Sequence, residues 1–184
     1  MIFQKYIAAG QGAMTLCCLF YAAWWYVAYN PAMNENPFAG KAGILFWITF
    51  AFGIAGLYLN IYGIRNLADT RQICLTGGAI YLALLAVTVW IFHRPVTAEL
   101  FLIVAWATME IAAIFAAFHA DILNGNYPTI LLMTVAAATI FSMIAYLLYY
   151  SIDEWRAFYL GLFPLIADAI GAAIVAIFII SKFF

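Results

Sequence analysis

Residues 158–180 read FYLGLFPLIADAIGAAIVAIFII, with a single charge, Asp168, near the middle. A helix needs roughly 20 apolar residues to cross the hydrocarbon layer of a bilayer, and this stretch reaches that length. Working back along the chain, similar runs cover about 6–29, 42–63, 73–92, 100–120 and 129–150. Turn formers and charges separate them. Asn30-Pro31 and Asn36-Pro37 break the first gap, Arg65 to Arg71 fill the second, and His93-Arg94-Pro95 opens the third. Asp121 with Asn124-Gly125-Asn126 marks the fourth gap and Asp153-Glu154-Trp155-Arg156 the fifth. The pattern predicts an all-α, polytopic integral membrane protein: a six-transmembrane-helix bundle forming one domain over 1–184.

Composition agrees. The chain is 69% hydrophobic, 18% aromatic and 8% charged, whereas soluble domains are about half apolar and about a quarter charged. A net charge of −1 leaves no basic surplus for nucleic acid. Three cysteines, two of them adjacent at 17 and 18, make no disulfide framework. The first run is longer than a signal-peptide core and ends in Trp24-Trp25-Tyr26, so it reads as a span.

An even helix count puts both termini on one side. The short, doubly basic Arg65–Arg71 loop predicts that this side, with both termini, is the cytoplasmic face of the cell membrane. Trp24, Trp25, Trp47, Trp90 and Trp155 then fall near the outer face. An interfacial aromatic belt accounts for them; the alternative use is as the wall of an outer vestibule.

The halves carry a faint echo. Tyr21 to Trp25 followed by Asn34 and Asn36 matches Ile111 to Phe115 followed by Asn124 and Asn126, at a constant offset of 90. Three helices per half would make this a 3+3 inverted repeat, a design common in transporters.

Helices in lipid pack through small and polar residues, and every run offers such a stripe. Ala8, Gln11, Thr15 and Cys18 mark the first run, and Thr49, Gly53, Gly56, Asn60 and Gly63 the second. Thr76, Ala79, Ala83 and Ala86 mark the third; Ala107, Glu110, Ala113 and Ala117 the fourth. Thr134, Ala138, Ser142 and Ala145 mark the fifth, and Gly161, Pro164, Asp168, Gly171 and Val175 the sixth. Gln11, Asn60, Thr15 and Ser142 read first as interhelical hydrogen-bond glue.

Glu110 and Asp168 stand apart from the other charges, which lie in loops or near span ends. An ionised Asp at mid-membrane costs about 2.5–3.5 kcal/mol on insertion scales, and no Lys or Arg shares their depth. Each is expected to be either a neutral acid bonded to a carbonyl, Asn60, Gln11 or a tyrosine, or part of a proton, cation or solute site. Asn60, Gln11, Trp106 and Pro164 are their expected companions; Pro164 would free a backbone carbonyl one turn earlier. His93, Arg94 and Glu99 are placed to form an outer gate, with His93 sensing pH. Thr97 reads as the N-cap of the fourth helix.

No phosphate loop, nucleophile elbow, metal-ligand spacing or lysine inside a span is present, so neither an enzyme, a metal nor a cofactor is expected. The leading expectation is a channel or transporter for a small solute or ion, with the buried acids in its path. The alternative is a non-transporting accessory, sensory or lipid-binding membrane protein. Lipid is the expected partner in both, with a homo-oligomer or a partner membrane subunit covering part of the outer face.

Overall fold

A computed structural model describes residues 2–30, 39–92, 98–149 and 152–181. Six α-helices make up the fold: α1 (Ile2–Tyr29), α2 (Ala39–Arg65), α3 (Arg71–Phe92), α4 (Ala98–His119), α5 (Tyr127–Tyr149) and α6 (Glu154–Ile180). All six are long and apolar enough to cross a membrane. They begin two to four residues before the apolar runs, because the flanking polar residues complete the first turn. Lys5 therefore sits inside the first turn of α1, at its exposed end.

Local chemistry sets several of these ends. Asp153 is the N-cap of α6 and accepts from the Arg156 amide at 3.0 Å, while its other oxygen meets the Arg156 guanidinium at 3.3 Å. Asp69 takes the Arg71 amide at 3.1 Å at the start of α3. After α4, Asp121 at φ 57° and Gly125 at φ 64° reverse the chain within a few residues. A residue without a side chain suits Gly125; Asp121 is among the types that tolerate this conformation.

The helices pack in the order α2, α1, α6, α5, α4, α3, and α4 also touches α2 and α6. That makes α4 the most enclosed helix and leaves α2 and α3 on the outside. Glycines set the close approaches. A Cβ on Gly10 would lie 2.8 Å from the Asn60 backbone nitrogen, and one on Gly63 would lie 2.9 Å from the Phe3 carbonyl. Between α4 and α6, a Cβ on Gly171 would lie 2.7 Å from the Trp106 ring. Between α1 and α6, one on Gly161 would lie 2.6 Å from the Trp25 ring. With lipid on the outside, such contacts are the main attraction between helices.

The small-residue stripes face inward on α1, α2, α4, α5 and α6, but not on α3. There Thr76, Ala79, Ala83 and Ala86 are exposed, while Gly77 and Thr88 are buried. Small residues occur on both sides of α3, so size alone did not mark its packing face. Gly77 decides it by admitting the Thr108 side chain of α4. The inverted repeat also lacks a counterpart contact: α5 packs along α6, whereas α2 and α3 have no comparable contact among the described residues.

The two ends of the bundle differ. Ile7, Ile64, Ile122, Leu123 and Ile179 bury together at the end that holds the 66–70 and 120–126 turns. This group forms an aliphatic cap. At the opposite end Trp24, Trp25, Tyr26, Tyr29, Tyr149 and Phe158 make ring contacts.

Candidate functional site

Polar residues from five helices meet inside the bundle. Gln11 on α1, Asn60 on α2, Glu110 on α4 and Ser142 on α5 are fully buried, and Asp168 on α6 is 6% exposed. Each occupies a helix face rich in small residues, which lets the helices approach closely there. α3 contributes none of these five residues.

Two hydrogen-bonded pairs order the group. Gln11 Nε2 donates to Asn60 Oδ1 at 3.3 Å, and Asn60 Nδ2 donates to the Gly56 carbonyl one turn earlier at 2.9 Å. Ser142 Oγ donates to Asp168 Oδ1 at 3.2 Å, tying α5 to α6. Both are interhelical bonds of the kind expected. Thr15 does otherwise: its hydroxyl turns back to the Gln11 carbonyl at 2.9 Å, a bond within its own helix.

Glu110 lies between the pairs. It is close enough to Gln11 and Asp168 to interact electrostatically with both, and Cys18 lies within reach of both acids. Yet neither Glu110 oxygen has a hydrogen-bond partner of good geometry, and the same holds for Gln11 Oε1 and Trp106 Nε1. Trp106 is one turn before Glu110 on the inward face of α4. An unpartnered buried polar atom costs about 1–3 kcal/mol, so four of them on two touching faces are an unusual concentration.

A cavity of about 100 Å³ reaches Asp168, the member of this group that lines it, from the aromatic end. Tyr21 and Trp25 on α1 and Tyr146 and Tyr149 on α5 form much of its wall, and Pro164 and Asp168 on α6 complete it. Trp25 is held in place by its ring nitrogen, which donates to the Phe158 carbonyl at 3.1 Å, and by the space over Gly161. Its ring centroid is 6.0 Å from that of Tyr149. Pro164 sits inside a continuous α6 and removes the amide that would bond the Leu160 carbonyl; Leu160 and Pro164 both line the cavity.

The expected companions of the acids thus fall into place unequally. Gln11, Asn60 and Trp106 gather near Glu110, and Pro164 accompanies Asp168. His93 and Arg94 lie outside the described residues, as does Thr97, and for Glu99 only the backbone, in the first turn of α4, is described. Of the expected tryptophan belt, Trp47, Trp90 and Trp155 are exposed as interfacial residues would be, while Trp25 turns inward to the cavity. Tyr21, Tyr146 and Tyr149 were not singled out in the sequence; their spacing is that of any interfacial aromatic, and only the meeting of α1 with α5 and α6 groups them.

A second, wider groove of about 730 Å³ runs between α3, α4 and α5, past Gly77, Thr108 and Thr139. It touches neither acid. Among the described residues no group of three or more His, Cys, Asp or Glu is arranged to hold a metal ion. Compared with family models, with curated proteins and with solved structures, the chain matches none.

Proposed function

We propose that the chain is a small multi-pass transporter or channel that moves a small solute or ion past Asp168 and Glu110. The observation that carries this reading is the cavity that ends on Asp168, with the unpartnered carboxyl of Glu110 beyond it. Acids serving only to pack helices would be bonded to backbone in a closed core. Asp168 instead bonds one hydroxyl and lines a cavity, and Glu110 bonds nothing of good geometry.

The asymmetry of the ends supports the same reading. A path open at the aromatic end and capped by aliphatics at the other corresponds to one side of an alternating-access cycle. In this arrangement Gln11, Asn60 and Trp106 surround the inner station at Glu110, and Pro164 loosens α6 beside the outer one. The termini face the cytoplasm, on the strength of the Arg65–Arg71 loop. The reading needs neither the inverted repeat nor an oligomer.

The test is flux. Protein reconstituted in liposomes is assayed across small solutes, monovalent ions and protons, with Glu110→Gln and Asp168→Asn alongside. Flux through the wild type that falls in both variants supports transport. A folded wild type that moves none of these, or variants that move them equally well, removes the acids from any path.

A further inference from the structure

We infer that the cavity at the aromatic end is a binding site for a small alkylammonium ion, held by Asp168 and the rings of Tyr21, Trp25, Tyr146 and Tyr149. The inference rests on reading that cavity as the entrance of the path, and it names the class of solute.

The chemistry of the walls selects the charge. Asp168 is the acid that lines the cavity, and among the described residues no lysine, arginine or histidine lines it. One Asp168 oxygen is engaged by Ser142. A cation in the cavity would give the carboxylate its counter-charge, and burial strengthens that attraction. An anion or a neutral solute would offer that carboxylate no counter-charge.

The same walls select against a metal ion. Calcium and magnesium take six or more oxygen ligands, and transition metals want imidazole or thiolate. Here one carboxylate stands among aromatic and aliphatic groups, and no metal cluster exists among the described residues. Aromatic rings grouped around a carboxylate suit a cation whose charge is spread over methyl groups, because ring faces attract it without asking it to shed a tight hydration shell.

Size sets the upper bound. A water-sized group needs about 10–15 Å³ of comparable cavity volume, so about 100 Å³ admits roughly seven heavy atoms. Tetramethylammonium and the smaller methylammonium ions fit; a tetrabutylammonium ion does not. Trp25, fixed by its bond to Phe158 and its seat over Gly161, keeps that volume from collapsing.

The experiment is isothermal titration of the full chain in lipid nanodiscs with tetramethylammonium, with tert-butyl alcohol as the uncharged analogue and tetrabutylammonium as the oversized one. Tetramethylammonium should bind, and the other two should not. Asp168→Asn, which keeps the shape and a partner for Ser142, should weaken binding at least tenfold. Tyr149→Leu should weaken it roughly two- to tenfold. Melting curves identify any variant that has lost its fold; Tyr149→Leu then serves if Asp168→Asn fails, and the reverse. No binding to the wild type, equal binding of the alcohol, or full affinity in a folded Asp168→Asn overturns the inference. If flux of another solute is found without tetramethylammonium binding, the solute class is wrong and the transport reading stands. Binding without flux of any kind upholds the site and removes the transport reading.

Discussion

Replacing Glu110 by methionine should stabilise the protein and, on the proposed transport reading, abolish flux. Glu110 is fully buried on α4, and with Gln11 beside it neither of its oxygens has a hydrogen-bond partner of good geometry. Each such acceptor costs about 1–3 kcal/mol, so the carboxyl carries a penalty on the order of 2–6 kcal/mol. Part of that is returned because the unfolded chain in a membrane also finds polar partners. Methionine fills a similar length with no polar atom and adapts to irregular space, so the net gain in folded stability should be about 1–3 kcal/mol. Glu110→Gln should gain less, since its amide still leaves a buried acceptor to satisfy. The assay is reversible unfolding of the reconstituted protein by increasing mole fraction of SDS, read by tryptophan fluorescence, beside the liposome flux measurement. A loss of more than about 1 kcal/mol in Glu110→Met would mean that the carboxyl is well bonded where it lies, because removing one partner of a satisfied buried pair destabilises. Undiminished flux in a stable Glu110→Met protein would refute the path through this residue.

Four further outcomes follow from the packing. Gly10→Ala should cost about 1–3 kcal/mol, since its Cβ would meet the Asn60 backbone at 2.8 Å, while Gly12→Ala, with nothing within 4 Å, should be neutral or slightly stabilising in the same unfolding assay. Gly171→Ala should cost a similar amount through the Trp106 ring, and a double-mutant cycle with Trp106→Leu should return much of it. Ser142→Ala should destabilise by roughly 1 kcal/mol through loss of the bond to Asp168, and Asp168→Asn, which keeps an acceptor for that hydroxyl, by less. Reporter fusions before Ile2 and after Ser181 should label from the same side of the membrane, because the end of α1 packs against the start of α6 and the two helices run antiparallel.

The helices were legible because each apolar run is longer than any soluble core helix needs and is bounded by Asn, Pro or charge. The inward faces of five helices were legible because on each a buried polar residue shares a stripe with small residues. On α3, Thr76, Ala79, Ala83 and Ala86 formed as good a stripe as any, yet Gly77 sits on the packed side. A helix with small residues all round carries no contrast to read, and in lipid its outer face has no need to be more apolar than its inner one. Glu110 and Asp168 could be picked out because each is a charge near mid-span, and Gln11 and Asn60 because each is a polar residue on a small-residue stripe. The cavity could not be picked out. Trp25 looks like Trp24, Trp47 and Trp155 until α1 meets α5 and α6 in space. That is a tertiary fact with no local signature.

The packing of α1 between α2 and α6 also has a consequence for how the protein is made. The bond from Trp25 to Phe158 spans 133 positions of the chain. At roughly 5–20 residues per second, the first helix waits on the order of ten seconds for the sixth to be synthesised. Throughout that interval its α6-facing side meets only lipid or the insertion machinery. What holds it meanwhile is the hairpin with α2, where Gly10 seats Asn60 and Gln11 finds its amide partner. Damage to that hairpin would therefore be felt during biogenesis, before a bundle exists to unfold. Variants there should accumulate in the membrane in reduced amounts even when the molecules that do arrive are as durable as the wild type.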